Sequence, residues 1–159
     1  MRVIIILSFL VAFLLTVFPI SSEWRWCRPE FVLLLVIYWS MFAPQYFGLL
    51  ATWFVGICLD ILQFSPLGFH AIGLLLVSYA SVFLYRRIRN YVLWHQALWV
   101  FFLVVFFQLF SHWLGSFYGK VASSPVFLIS TILSSLLWPL LVIFTGRLLE
   151  HFRLSYDTN

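Results

Sequence analysis

Charge is what this sequence lacks most. Charged side chains make up 9% of its 159 residues, whereas a soluble domain uses about 25% to cover its surface. Apolar residues make up 64% of the chain instead. The nine lysines and arginines are scattered, which excludes the continuous basic surface typical of nucleic-acid binding. The composition therefore predicts an all-α integral membrane protein that is surrounded mostly by lipid.

Cysteines and catalytic motifs are scarce as well. Cys27 and Cys58 are the two cysteines and lack CxxC spacing, so they predict two buried free thiols, with a Cys27–Cys58 disulfide as the alternative. The sequence contains no GxSxG, HExxH, P-loop or glycine-rich dinucleotide motif. A membrane-embedded hydrolase or transferase would need a carboxylate or metal cluster that this pattern lacks. We therefore expect no enzymatic activity, no catalytic residues, no metal site and no cofactor.

Long apolar runs account for most of the chain. A membrane-crossing helix needs about 20 apolar residues. The stretch 31–62 would form a helix of about 48 Å, too long for one span, and Ala43-Pro44-Gln45 divides it. The chain is thus predicted to be a single domain, 1–159, folded as a six-helix transmembrane bundle. The predicted spans are 3–20, 31–43, 46–62, 67–85, 93–117 and 126–146.

The first two predicted spans each leave an alternative open. The run 3–20 after Arg2 is similar to a signal peptide, but Phe18-Pro19-Ile20 offers no small-residue cleavage pattern, so an uncleaved first helix is preferred. The second span would be only about 20 Å long. It would need local thinning of the bilayer, extension through Arg28-Pro29 or burial behind neighbouring helices. A re-entrant hairpin is the competing interpretation.

The arginines predict the orientation of the bundle. With six spans, the N-terminus, the 86–89 loop and the C-terminal tail share one face. That face carries six basic residues against three on the other, so it is predicted to be cytoplasmic by the positive-inside rule. We therefore expect both termini in the cytoplasm. The six are Arg2, Arg86, Arg87, Arg89, Arg147 and Arg153, and the three are Arg25, Arg28 and Lys120.

Asp60 is the single formal charge between Glu30 and Arg86. A carboxylate at the centre of a membrane helix costs about 2.5–3.5 kcal/mol, and less near an end. Asp60 also lies near the C-terminal end of its predicted helix, where the helix dipole disfavours an anion. It therefore needs a compensating partner. We expect a structural ion pair or a hydrogen-bonded helix end, with Arg28, which the topology places on the same face of the membrane, as the first candidate cation and Arg25 as the second. A substrate or proton site and a partner-docking position are the alternatives.

Small and hydroxyl-bearing residues mark two candidate helix-contact faces. Gly48, Thr52 and Gly56 recur at four-residue spacing before Asp60, and small residues at this period let helices approach closely in lipid. This stripe predicts packing within the bundle or docking of a partner helix. Ser130 and Ser134 form the second candidate face.

The remaining intramembrane polarity is expected in the outer half of the bundle. The predicted topology puts His70 near the start of the fourth span and Gln108 and His112 toward the end of the fifth. These three residues form a candidate outer-half polar cluster. Hydrogen bonding near the membrane surface is the expected role, and a small-molecule pocket between Asp60, His70 and His112 is the alternative.

The order of several motifs resembles that of the bacterial rod shape-determining protein MreD family. Arg28-Pro29-Glu30 opens an apolar run, Gly56 and Asp60 precede Ser65-Pro66-Leu67-Gly68, and Leu137-Trp138-Pro139 comes late in the chain. The resemblance covers nearly the whole chain, although the first loop and the polar face of the fifth helix depart from the family pattern.

This resemblance implies a function that the residues alone do not. It implies a non-enzymatic inner-membrane scaffold of the cell-elongation machinery, which synthesises peptidoglycan in rod-shaped bacteria. The implied partners are the membrane-anchored MreC, the cytoplasmic actin-like MreB, and RodA with its partner transpeptidase. The resemblance also implies a fold like that of the substrate-binding component of energy-coupling-factor transporters. A vitamin-type transporter component is therefore the alternative function.

Overall fold

In the part of the chain that the computed structural model describes, α-helices are joined by short connections. This part comprises residues 2–17, 29–88, 92–117 and 127–157. Within these ranges there are six helices, which confirms the all-α class expected from the sequence. They are α1 (Arg2–Val17), α2 (Phe31–Phe42), α3 (Leu49–Leu62), α4 (Phe69–Ile88), α5 (Leu93–Phe117) and α6 (Phe127–Asp157).

The apolar stretch 31–62 is divided into two helices. The first ends at Phe42, and the backbone N–H of Ala43 bonds to the carbonyl of Trp39. Pro44 follows, and a proline disfavours helical backbone at the residue before it. The next helix begins after Gly48. A single tilted helix over this stretch is therefore ruled out.

The short helix α2 lies at the centre of the bundle. All residues from 32 to 41 are buried, and the helix contacts α1, α4, α5 and α6. At 12 residues it is about 18 Å long, well below the roughly 30 Å of a bilayer core. Burial behind neighbours is thus the arrangement that accommodates its length.

Buried hydroxyl groups connect the helices around α2. The Ser40 Oγ and Ser78 Oγ atoms are 2.8 Å apart, which joins α2 to α4. Thr52 donates its hydroxyl to Ser78 Oγ at 3.1 Å, which adds α3. Trp39 Nε1 donates to Ser8 Oγ at 3.0 Å, which holds α1 against α2. Such interhelical bonds supplement van der Waals packing where lipid removes the hydrophobic driving force.

Two helices are long and apolar enough to cross a membrane. They are Trp94–Phe117 in α5 and Ile129–Arg147 in α6. The apolar segments of the other described helices are shorter, at 10–17 residues, and that of α4 is Phe69–Leu84. Large apolar side chains are exposed on α1, α3, α4, α5 and α6 around the bundle, an arrangement that suits lipid and not water. The six-span topology itself stays a prediction.

The structure extends one sequence-based expectation and corrects another. The helix that contains the predicted span 126–146 continues to Asp157, because charged residues that end an apolar run still favour helical backbone, and the span itself stays a prediction. Cys58 is a free thiol and is exposed, so the expectation of a buried thiol is wrong for this residue. Its candidate disulfide partner, Cys27, lies outside the described residues.

Candidate functional site

The carboxylate of Asp60 is the centre of the candidate site. Asp60 is completely buried in the last turn of α3. Its Oδ1 accepts hydrogen bonds from Ser65 Oγ at 2.9 Å and from the backbone N–H of His70 at 2.8 Å. The Nδ1 of His70 lies 2.8 Å from the same oxygen, and Oδ2 accepts from the N–H of Gly68 at 2.8 Å. We call Asp60, Ser65, Gly68 and His70 the Asp60 cap.

The connection from α3 to α4 folds so that these donors converge. The N–H of Phe64 bonds to the Ile61 carbonyl at 3.3 Å, and the N–H of Ser65 bonds to the Asp60 carbonyl at 3.0 Å. This pair of bonds is a Schellman motif, in which the residue after the helix takes a left-handed conformation. Phe64 does so, with φ of 51°. Gly68 then reverses the chain with φ of 95°, which a glycine adopts without steric cost.

The helix termini explain why a carboxylate is stable here. The C-terminal end of α3 disfavours an anion, but the N-terminal end of α4 favours one and leaves backbone N–H groups without partners inside the helix. Asp60 accepts from two of these N–H groups. Its charge is therefore compensated by the start of α4 and by His70. Arg28 lies outside the described residues, so the expected ion pair stays a prediction.

The arrangement of the Asp60 cap suits a structural role better than nucleophilic catalysis. In a catalytic triad the serine contacts the imidazole nitrogen opposite the one that faces the carboxylate. Here Ser65 Oγ lies 3.3 Å from Nδ1 of His70, the nitrogen that also faces Asp60. A neutral His70 donates from Nδ1 to the carboxylate, which fixes the tautomer. The imidazole is 14% exposed and lies beside the rings of Phe69 and Phe107.

The small-residue stripe of α3 is part of the contact with α4. A Cβ atom added to Gly56 would lie 2.3 Å from the Cα atom of Ala71, whereas one added to Gly48 would meet nothing within 4 Å. Thr52 is completely buried and bonds to Ser78 of α4. The middle of the stripe is therefore occupied by this chain's own helix.

The serine face of α6 also lies inside the bundle. Ser134 Oγ accepts a hydrogen bond from the backbone N–H of Glu30 at 3.0 Å and donates to the carbonyl of Ser130 at 2.8 Å. Both serines are buried. Glu30 is the N-cap residue of α2, and its side chain makes no capping bond. Its bond to Ser134 therefore joins the start of α2 to α6.

The hydrogen bonds of the candidate outer-half polar residues His70 and Gln108 join different pairs of helices. His70 belongs to the Asp60 cap. Gln108 of α5 accepts a hydrogen bond from Thr131 Oγ1 at 2.7 Å, which joins α5 to α6. The carbonyl of His112 accepts a hydrogen bond from Ser116 Oγ at 3.4 Å. Among the described residues, no group of three histidines, cysteines or carboxylates could hold a metal ion.

Several residues of these contacts were not singled out as sites from the sequence. Ser65 and Gly68 belong to the segment Ser65-Pro66-Leu67-Gly68, for which the sequence predicted no role. Ser78 and Thr131 are polar residues in apolar helices, and no sequence pattern predicted their partners. The spacing of Asp60 from Ser65-Pro66-Leu67-Gly68 was the available signal. Ser65, Pro66 and Gly68 are turn residues just before an apolar run, a pattern that marks the start of a helix.

Three apolar grooves lie on the outside of the described bundle. The α1/α3 groove has a volume of about 830 Å³ and the α5/α6 groove about 890 Å³. A smaller groove of about 370 Å³ runs between α1 and α6 over α2. Asp60, His70 and His112 line none of these three grooves. They therefore give no support to a small-molecule pocket between those residues.

Comparisons with known proteins agree on one family. Residues 1–148 match the family model described as rod shape-determining protein MreD. The chain is similar to the rod shape-determining protein MreD of Haemophilus influenzae, with 28% identity over 136 residues. The matched region covers 76% of this chain and 84% of that protein. No solved structure matches the chain, so the expected likeness to energy-coupling-factor components stays a prediction.

Proposed function

The chain belongs to the MreD family of rod shape-determining proteins, and we propose that it determines cell shape as a non-enzymatic scaffold that holds a single-span partner such as MreC. In this proposal it crosses the bacterial inner membrane six times and has both termini in the cytoplasm. The partners MreB, and RodA with its transpeptidase, act with it in peptidoglycan synthesis along the cell.

The hydrogen bonding of the Asp60 cap supports a scaffold function over an enzymatic one. Asp60, Ser65 and His70 are the residue types from which a hydrolase would be built. Here the carboxylate accepts hydrogen bonds from backbone and side-chain donors that join α3 to α4, and no atom of it is exposed. These bonds fix the relative position of two helices, which is what a rigid docking platform needs.

The location of the small-residue contacts restricts where a partner helix would bind. Gly56 packs on Ala71 and Ser134 bonds to Glu30, so a partner would use neither position without displacing a helix of this chain. The outer surface and its grooves remain. In lipid, a partner helix would gain affinity there mainly from close van der Waals packing.

Site-specific photo-crosslinking in living cells tests the proposal. A photoreactive amino acid is placed at exposed positions in the two larger grooves, at Leu10 and Phe54 for α1/α3 and at Leu136 for α5/α6. We expect ultraviolet light to produce an adduct with one single-span protein from a subset of these positions. An exposed position that lines neither groove serves as the control.

Two results would contradict the scaffold. One is the lack of any protein adduct from exposed positions on α1, α3, α4, α5 and α6, with the chain inserted normally. The other is a small molecule that is retained through purification and lost in Asp60→Ala, because this would favour a transporter component.

A further inference from the structure

We propose that the α5/α6 groove binds an anionic phospholipid, with its phosphate at Arg147 and an acyl chain along the groove. This inference goes beyond the scaffold role and does not depend on it. It uses the two helices whose length and composition suffice to cross a membrane.

One end of the groove lies at a membrane surface. Trp94 begins the apolar segment of α5 and Arg147 ends that of α6, and both line the groove. Because the helices run in opposite directions, these residues mark the same end of the pair. The indole of Trp94 is 75% exposed, and tryptophan is enriched where the hydrocarbon core meets the headgroups.

The groove has the dimensions of a lipid chain. Along α6 its lining extends from Ile132 to Arg147, which is about 22 Å of helix. One leaflet of a bilayer core is about 15 Å thick. An acyl chain that starts at the headgroup level beside Arg147 would therefore remain in contact with the groove through its whole leaflet.

The lining is apolar except at its charged end. Ala97 and Pro139 are small and leave room between larger neighbours such as Phe101 and Leu136. The hydroxyl of Ser135 donates to the Ile132 carbonyl at 2.9 Å, so it is not an open polar contact. Among the described lining residues, Arg147 carries the single charge. Its side chain is exposed and can donate two parallel hydrogen bonds to a phosphate.

This charge distribution fits a lipid better than another transmembrane helix. An apolar slot with a cation at the headgroup level is complementary to a molecule with an anionic head and an apolar tail. A partner helix obeying the positive-inside rule would bring its own lysines or arginines to the same surface. Those charges would repel Arg147, as would Arg147 of a second copy packed about a twofold axis.

Lipid titration with native mass spectrometry tests the inference. The full chain, purified and delipidated in detergent, is titrated with phosphatidylglycerol and with phosphatidylcholine of the same acyl chains. We expect tighter binding of phosphatidylglycerol. Arg147→Gln should weaken that binding about fivefold, which corresponds to about 1 kcal/mol per basic residue near an anionic lipid. Arg153→Gln, which removes the same charge six residues further along α6, should leave the preference unchanged.

A second pair of variants tests the groove itself. Ala97→Phe fills it and should reduce binding of both lipids. Leu98→Trp, at an exposed lining position, repeats the test if Ala97→Phe elutes as an aggregate. Equal losses in Arg147→Gln and Arg153→Gln would assign the preference to overall charge and overturn the site. Unchanged lipid binding in Ala97→Phe or Leu98→Trp would also overturn the site. So would mass spectra in which the purified chain releases a bound protein or a second copy of itself instead of a lipid.

Discussion

The Oδ1 atom of Asp60 lies 2.8 Å from both the backbone nitrogen and the Nδ1 atom of His70. The backbone carbonyl of Asp60 also accepts the hydrogen bond from the N–H of Ser65 at the end of α3. The last turn of α3 and the first turn of α4 therefore share one hydrogen-bonded centre, and a change at Asp60 affects both helices.

Replacement of Asp60 by asparagine should destabilise the protein. An amide retains one accepting oxygen and turns an NH₂ group toward donors, so at least one of the N–H groups of Gly68 and His70 loses its acceptor. We expect a loss of about 1–3 kcal/mol in the free energy of unfolding, measured by denaturation with SDS in mixed micelles. Glu150→Gln in α6 removes the same charge and is the control. Equal effects of the two changes would contradict the capping role.

Double-mutant cycles should separate the partners of Asp60. Asp60→Asn and His70→Ala should be non-additive by about 0.5–3 kcal/mol, because the residues are in direct contact. The cycle with Arg28→Gln tests the ion pair predicted from the sequence. Full additivity in that second cycle would reject the ion pair and leave compensation to His70 and the N–H groups.

Gly56→Ala should cost far more than Gly48→Ala. A methyl group at Gly56 would lie 2.3 Å from backbone of α4, and the same group at Gly48 would meet nothing within 4 Å. Forcing extra volume into a packed contact costs about 1–3 kcal/mol, so Gly56→Ala should lower the unfolding temperature in detergent. A normal unfolding temperature together with loss of a co-purified partner would show that the stripe faces a partner instead.

Phe64→Gly should stabilise the turn between α3 and α4. A left-handed conformation costs an L-amino acid about 1–2 kcal/mol, and glycine avoids that cost at some expense in unfolded-state entropy. We expect a net gain of about 1 kcal/mol in the same SDS assay. Leu67→Gly removes another exposed apolar side chain from the turn, without a positive φ to relieve. A loss of stability in both variants would show that contacts of the Phe64 ring outweigh the backbone strain.

Both termini should lie in the cytoplasm, as the distribution of arginines predicts. Reporter fusions at Met1 and Asn159 that are active in only one compartment measure this directly. Fusions that report opposite faces would mean an odd number of spans. The short helix α2 would then be the first candidate for a segment that does not cross.

The sequence predicted the helices well because lipid-facing and buried helices share a simple requirement for continuous apolar residues. Pro44 marked the break between α2 and α3, and the predicted start of the fifth helix at 93 is where α5 begins. The sequence made no prediction of where α6 ends, because apolarity defines a membrane span and does not define where helical backbone stops.

The partners of the polar residues were harder to predict. For Asp60 the sequence allowed an ion pair or a hydrogen-bonded helix end and favoured Arg28 as the partner, since side-chain patterns reveal charges but not the backbone N–H groups at the start of α4. Likewise, the spacing of Gly56 and Ser134 identified close contacts without saying which helix occupies them. Which helix occupies each contact depends on the arrangement of the whole bundle. In that arrangement α4 lies against both α2 and α3.

The enclosure of α2 has a consequence for the order in which the protein is assembled during synthesis. This helix emerges from the ribosome second, yet Ser134 bonds to its first turn and Trp138 packs on Tyr38 more than ninety residues later in the chain. Until α6 has been made, one side of α2 lacks its permanent neighbour. Nascent chains that stop after α5 should therefore expose α2 to membrane chaperones and proteases, and completion of α6 should end that exposure.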